Sequence, residues 1–205
     1  MEEQQVGVVL DVGANTGQWA QTIRALGYRR HIVSFEPLSE AYLNLQARAL
    51  QDEHWTTVNA ALDREPGETV LHVSENSQSS SVLDMLPLHQ EAAPRSSYVG
   101  NETVRVTTLE RVAAERALQE HTAFIKVDTQ GCERRVLEGA GSALETVVAM
   151  QVELSLVSLY EGEPLIEEML IFLRGVGFVP SAFEPNFWVE ETGRVLQVDG
   201  LFIRA

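Results

Sequence analysis

A chain of 205 residues that is 44% hydrophobic and 22% charged is long enough for one domain with a substantial core, and has the composition of a soluble globular protein. Thirty acidic residues against fifteen basic ones give a formal charge of −15, a field that disfavours phosphate backbones and anionic lipid surfaces and so argues against nucleic acid as a substrate. No apolar run approaches the ~20 residues of a membrane span, Met1-Glu2-Glu3-Gln4-Gln5 does not read as a signal peptide, and with Cys132 as the sole cysteine neither an intramolecular disulfide nor a multi-cysteine zinc site can form.

The stretch Val8-Val9-Leu10-Asp11-Val12-Gly13-Ala14-Asn15-Thr16-Gly17 takes a β-branched run into an acid, turns through two glycines and enters a helical pattern at Gln18-Trp19-Ala20. That is a strand over 7–12, a tight turn and a helix start, the corner where an open parallel sheet binds a nucleotide-like ligand. Gly13 and Gly17 let the backbone approach a ligand, and the helix start offers unpaired N–H groups. Asp11 at the strand end favours a cation over a pyrophosphate, which suits the amino group and sulfonium of S-adenosylmethionine (SAM). The third glycine of the dinucleotide pattern is missing, so an NAD-dependent oxidoreductase is the weaker rival. An ordinary turn without a ligand is the bland alternative, since Asp and Asn also serve as turn and cap residues.

Trp19, Ile23 and Leu26 follow at helical spacing and Gly27 ends that helix. A second strand over 31–35 runs into Glu36-Pro37, where an acid meets ribose hydroxyls in nucleotide-binding sheets; a surface acid beside a helix start is the alternative. Ser39 is the expected N-cap of the next helix, with Leu38, Tyr42, Leu45 and Ala49 on one face. The third strand is read over 55–61, where Asn59, Ala60 and Ala61 leave room for a flat purine ring.

The alternation then breaks. Residues 63–68 are turn chemistry, 69–73 alternate like a strand, and 104–107 could pair with them as an inserted hairpin. Between them, 76–102 hold six serines and two prolines with little periodicity, which predicts a substrate-side lid or a disordered loop. Regular order resumes with a helix from Leu109 to Ala117, a fourth strand over 123–128, a helix bearing Val136 and Leu137, a fifth strand over 147–154 and a helix with Ile166, Met169, Leu170, Leu173 and Val176 inward. Phe178 begins a sixth strand, 184–188 read as a loop, and 195–203 close the sheet as a hairpin. Strand and helix alternate throughout, which argues one doubly wound α/β domain over 1–205 with a mostly parallel sheet.

Four stretches together resemble the FkbM family of SAM-dependent methyltransferases: Leu10-Asp11-Val12-Gly13-Ala14-Asn15-Thr16-Gly17, Ser34-Phe35-Glu36-Pro37, Ile125-Lys126-Val127-Asp128-Thr129-Gln130-Gly131-Cys132-Glu133, and Val152-Glu153-Leu154. Val58-Asn59-Ala60-Ala61-Leu62 and the serine run Ser79-Ser80-Ser81 fit the same pattern. The resemblance implies a Rossmann-like, seven-stranded class I methyltransferase whose last strand is antiparallel. It also implies O-methylation of a hydroxyl on a sugar, glycolipid or polyketide-type small molecule. By position, Asp11, Gly13, Ala14, Asn15 and Gly17 would hold the methionine end of SAM, Glu36 and Pro37 the ribose, and Asn59 and Ala60 the adenine.

Methyl transfer from a sulfonium is an in-line displacement, so alignment matters most and a base near the acceptor hydroxyl helps. Asp128, at the end of the fourth strand, is the first candidate for that base or for a donor contact, with a helix-capping role as the alternative. Glu153 interrupts an apolar strand and needs a partner; it would orient the acceptor, pair with Asp128 to raise one carboxyl pKa, or hold Mg2+ with it. Lys126 could pair with either acid, and His72 is the histidine expected nearest the pocket mouth, unless it is simply a surface residue. His31, His54, His89 and His121 lack metal-ligand spacing, and nothing marks Cys132 as an activated thiol. Phe183, Phe187 and Trp188 would wall an apolar acceptor or merely pack. The expected setting is the reducing cytoplasm, with a SAM-binding scaffold that has lost catalysis as the reading outside enzymology and a homodimer left open.

Overall fold

A computed structural model describes residues 6–205, so the stretch Met1-Glu2-Glu3-Gln4-Gln5, and the reading of it as no signal peptide, lies outside the described residues. Among the described residues ten strands form two sheets: β1 (Val8–Val12), β2 (His31–Phe35), β3 (Trp55–Val58), β4 (Ala61–Leu62), β5 (Gly67–Ser74), β6 (Tyr98–Thr107), β7 (Ala123–Val127), β8 (Val147–Ser155), β9 (Phe178–Val189) and β10 (Arg194–Arg204). The larger sheet has seven strands in the order β3-β2-β1-β7-β8-β10-β9. β3 through β8 in that order are parallel, whereas β10 runs antiparallel to both β8 and β9. Strand order reverses between β1 and β7, which opens a crevice at their carboxyl ends.

Both faces of the parallel strands are covered, so these strands read as nearly continuous apolar runs. Val9, Ile32, Trp55 and Phe124 pack under α1 (Gln18–Ala25) and α2 (Ser39–Ala49), through Ala20, Ile23, Leu45 and Ala49. On the other face Leu10, Val12, Ile125 and Met150 meet Val112 of α4 (Leu109–Glu115), Val136 of α5 (Glu133–Glu138) and Leu173 of α6 (Ile166–Gly175). α3 (Pro87–Ala92) belongs to the insertion between β3 and β7.

That insertion holds more structure than a hairpin. β5 and β6 pair antiparallel as expected, and β4 joins β6 in parallel to make a second, three-stranded sheet. The strand read over 55–61 is therefore two: β3 ends at Val58, where Asn59 turns aside and donates through Nδ2 to the carbonyls of Glu36 (2.9 Å) and Pro37 (3.0 Å). The stretch 76–102 is ordered, against the expectation of a structureless loop. Backbone bonds between His72 and Ser81, the turn around Asn76, and helix α3 organise it. Residues 184–188 lie inside β9, whose pairing with β10 shifts register and so obscures the strand alternation. Ser39 starts α2 without capping it; its hydroxyl donates to Glu102 instead, and Leu26, just past α1, is exposed. Among the described residues no helix is long and apolar enough to cross a membrane.

Candidate active site

The carboxyl ends of β1, β2, β7 and β8 open into a cavity of about 540 Å³, within the range of small-molecule pockets. The inserted sheet, residues 76–80 and Val82 wall one side of it, and Asn186, Phe187, Gln197 and Asp199 of β9 and β10 wall another.

The turn after β1 is built for close approach. Gly13 has φ +75°, and a Cβ there would sit 1.7 Å from the carbonyl oxygen of Asp128. Gly13 and Ala14 donate to the carbonyl of Phe35 (3.1 and 3.0 Å), which pins the turn against β2. Asn15, also at positive φ, reaches with Nδ2 to the Ser77 hydroxyl (3.0 Å) and ties this turn to the insertion. Glu36 stands at the end of β2 with one oxygen accepting from the Asn15 N–H (2.7 Å) and the other from the Leu38 N–H (2.8 Å). Burial pushes its carboxyl up to about 7 despite those two N–H donors, and each oxygen retains lone-pair capacity for a ligand hydroxyl. Pro37, Ala60, Ala61 and Leu62 line the cavity with apolar surface.

Three residues expected at the cofactor sit beneath or beside the cavity. Asp11 is fully buried and does not line it: on β1 its side chain shares the face of Val9, where its cross-strand neighbours are Ser34 and Lys126. The Ser34 hydroxyl donates to Asp11 (2.9 Å) and accepts from the Trp55 indole (2.9 Å). Burial raises the Asp11 pKa, with Lys126 and Ser34 opposing that rise. Gly17 also faces inward, where a Cβ would meet Leu45 and Trp55 at 2.9 Å. Asn59 braces the Glu36-Pro37 loop without lining the cavity.

Lys126 couples the buried layer to the floor. Its ammonium lies 3.0 Å from Asp128, 3.3 Å from the Gly13 carbonyl and 4.0 Å from Asp11. Burial works against the charge, but Asp128 and Asp11 outweigh it and hold the lysine pKa above its ordinary value. Asp128 and Glu153 are brought together by one side chain: Gln130 Nε2 donates to Asp128 Oδ1 (2.9 Å) and to Glu153 Oε2 (2.8 Å). Gln197 and Asn186 complete the Glu153 shell at 3.0 Å each. Burial, then Asp128, Glu133 and Asp199, keep the Glu153 pKa well above the ordinary carboxylate value, and burial with Asp128 pushes Asp199 up to about 6. Asp128, with its side chain 31% exposed, is the more open of the bridged pair.

His72 does not meet the expectation of a base at the pocket mouth. Its ring stacks on Tyr98, with Nδ1 against Asn101 (2.8 Å) and Nε2 toward Asp84 (3.6 Å), and it does not line the cavity. Mg2+ lacks support: among the described residues no three His, Cys, Asp or Glu side chains come together to hold a metal ion, and amides occupy the Asp128–Glu153 pair. Cys132 lines the cavity, but burial pushes its thiol up to about 12, far from an activated nucleophile. Phe187 lines the cavity, whereas Phe183 packs edge-on against Phe202 and neither it nor Trp188 reaches the site.

Gln130, Asn186, Gln197, Asp199 and His89 line the cavity without a motif in the sequence that marks them as site residues. Gln130 carried one signal, its place between Asp128 and Gly131 in a turn; it has φ +54°. The others come to the floor or wall through the β9–β10 pairing and the insertion, which leave no local pattern.

The family model described as the methyltransferase FkbM domain matches residues 11–180. No curated protein sequence matches the chain. Among solved structures, similarity extends to a Streptococcus pneumoniae protein described as a candidate tRNA (m1A22) methyltransferase in complex with SAM (TM-score 0.57, 11% identity, 98% of this chain and 67% of that one). It extends also to 1,6-didemethyltoxoflavin-N1-methyltransferase of Burkholderia thailandensis with bound S-adenosylhomocysteine (TM-score 0.51, 10% identity, 100% and 73%). A third is magnesium protoporphyrin IX methyltransferase of Synechocystis PCC 6803 with bound SAM (TM-score 0.52, 8% identity, 100% and 73%). At these identities the likeness is one of fold, the Rossmann-like class I methyltransferase fold.

Proposed function

The chain belongs to the FkbM methyltransferase family and is a SAM-dependent methyltransferase; we propose that residues 1–205 act as one domain that methylates a hydroxyl of a small molecule. The observation that carries this reading is the pairing of a donor cradle with an acid–amide floor in one cavity. On the cradle side, the Gly13 turn packs against the Asp128 carbonyl too closely for any side chain, Glu36 can accept two further hydroxyl donors, and Pro37, Ala60 and Leu62 add apolar lining. Those residues fit the ribose and adenine of SAM. Asp11 lies too deep to touch it, so it is Gly13, Ala14 and Asn15 that meet the methionine end.

When bound, SAM supplies a methyl group activated by the positive sulfur. The protein's part is placement and proton handling. Asp128 is fixed by Lys126 and Gln130, so its carboxylate holds one position and can accept the proton that the attacking hydroxyl loses. Glu153 is held by three amides and orients the acceptor from the floor. The formal charge of −15 favours a small neutral molecule over a nucleic acid, and Phe187 offers an apolar surface for its ring or chain.

Calorimetric titration with SAM, S-adenosylhomocysteine and NAD tests the donor. Micromolar binding of the first two, no binding of NAD, and loss of binding in Glu36→Ala are expected. Methylation by labelled SAM of a panel of methyl glycosides, phenols and catechols tests the acceptor. NAD binding in place of SAM would overturn the donor assignment, and transfer to a nitrogen acceptor but to no hydroxyl would overturn the acceptor assignment.

A further inference from the structure

Glu133 is buried, opens α5 and does not line the cavity, although Asp128, Thr129, Gln130 and Cys132 just before it do. A buried carboxylate needs donors to offset its loss of water. Here a single oxygen, Oε1, takes three: the Thr129 N–H at 2.7 Å, the Gly131 N–H at 3.2 Å and the Thr129 hydroxyl at 3.2 Å.

The two backbone donors flank Gln130. Gln130 and Gly131 both have left-handed backbone, at φ +54° and +96°, and two consecutive residues of this kind turn the chain back sharply. Glycine takes that conformation freely, whereas glutamine takes it only where its surroundings hold it there. Glu133 Oε1 binds the N–H groups on either side, and the Ser81 hydroxyl donates to the Gln130 carbonyl at 2.7 Å. The turn decides where the Gln130 side chain points. Its Oε1 accepts from the Tyr160 hydroxyl (2.8 Å), which leaves Nε2 to donate to Asp128 (2.9 Å) and Glu153 (2.8 Å). With a right-handed or extended backbone at this position the Cα–Cβ bond would leave in another direction, and one amide nitrogen would no longer meet both acids.

Resting on the methyl-transfer reading above, we propose that Glu133 is a positioning residue: its Oε1 fixes the left-handed turn at Gln130 and thereby the geometry in which the Gln130 amide bridges Asp128 and Glu153. It touches neither donor nor acceptor and acts only through that amide. The turn needs an acceptor atom at this reach and not a negative charge. Glutamine therefore serves in its place, and aspartate, one methylene shorter, does not.

The test compares Glu133→Gln, Glu133→Asp, Gln130→Leu and the double variant Glu133→Asp with Gln130→Leu. Each is titrated with S-adenosylhomocysteine, then assayed with labelled SAM on methyl glucoside, phenol and catechol. The donor cradle shares no partner with Glu133 Oε1, so all are expected to bind S-adenosylhomocysteine within about threefold of wild type. Glu133→Asp loses about tenfold in kcat with acceptor KM little changed, and Glu133→Gln stays within about threefold of wild type. The double variant is no slower than Gln130→Leu alone, because both changes act on one amide. A loss in Glu133→Gln as large as in Glu133→Asp would place the effect on charge and overturn the proposal. So would losses that multiply in the double variant, or donor affinity that falls in step with kcat, the mark of a merely structural brace. A second measurement needs no turnover. The side-chain amide resonances of Gln130, identified as those missing from Gln130→Leu, should be protected from exchange in wild type and Glu133→Gln bound to S-adenosylhomocysteine, and lose that protection in Glu133→Asp. Unchanged protection in Glu133→Asp would overturn the proposal whatever the acceptor. Wild-type protein that binds S-adenosylhomocysteine and methylates none of the three hydroxyl compounds would instead count against the acceptor reading, with the resonances still deciding the role of Glu133.

Discussion

Glu36 couples donor binding to pH. Its carboxyl is buried and pushed from the ordinary 4.5 up to about 7, which places about 3 kcal/mol on its ionised form. The sign follows from linkage. The unfolded chain releases this proton near 4.5 and the folded chain near 7, so folding stability contributed by this group falls as pH rises through that window. Donor binding runs the other way, because ribose hydroxyls donate to a carboxylate best when it is ionised. The affinity for SAM is expected to rise about tenfold per pH unit from 5.5 toward 7 and then to level off. Isothermal titration at half-unit steps reads this slope directly, with Glu36→Gln as the control that removes the titrating group. Affinity that stays constant from pH 5.5 to 7.5, or a slope that survives in Glu36→Gln, would refute the reasoning.

Gly13→Ala places a Cβ against the Asp128 carbonyl in a backbone region that costs an L-residue about 1–2 kcal/mol, so SAM affinity should fall about 5- to 30-fold, as calorimetry would report. Lys126→Met strands the Asp11 carboxyl in the core and should cost about 3–5 kcal/mol in urea unfolding. Adding Asp11→Asn should recover part of that loss, and a single-variant cost below about 1 kcal/mol would show that the lysine is not what holds this layer. Gln130→Leu unties Asp128 from Glu153 and leaves the Tyr160 hydroxyl with the Ser79 carbonyl alone, so kcat should drop about 10- to 100-fold with SAM affinity changed far less. An unchanged kcat would remove the amide bridge from the mechanism.

The parts of the site built from local geometry could be read in the sequence. The Gly13 turn announces itself because a β-branched strand, a positive-φ glycine and a helix start follow in ten residues, and Glu36 because it ends the neighbouring strand. Asp11 shows where that reading stops. An acid one residue before a strand's end lies at the lip or in the layer below according to which face its position takes, and here the period of two puts it beside Lys126 and Ser34, under the cavity. The stretch 76–102 hid its order for a different reason. Hydrogen bonds among Ser74, Asn76, Ser79 and Ser80 hold it, and such contacts leave no apolar period to find. His89 and Asp199 reach the cavity through contacts distant along the chain, which no spacing rule reports.

The insertion leaves the core and rejoins it at adjoining points. Ala61 and Leu62 lie beside Val106 and Thr107 in register, and the Asp63 N–H donates to the Thr107 carbonyl at 3.0 Å. A segment whose two ends already touch adds little closure entropy to its host, whatever its length or content. Residues 64–106 are in that sense a cassette, clipped into the sheet at one place and packed on α2 through Leu71 and Val104. Exchanging this cassette between relatives should carry acceptor preference with it and leave the donor behind.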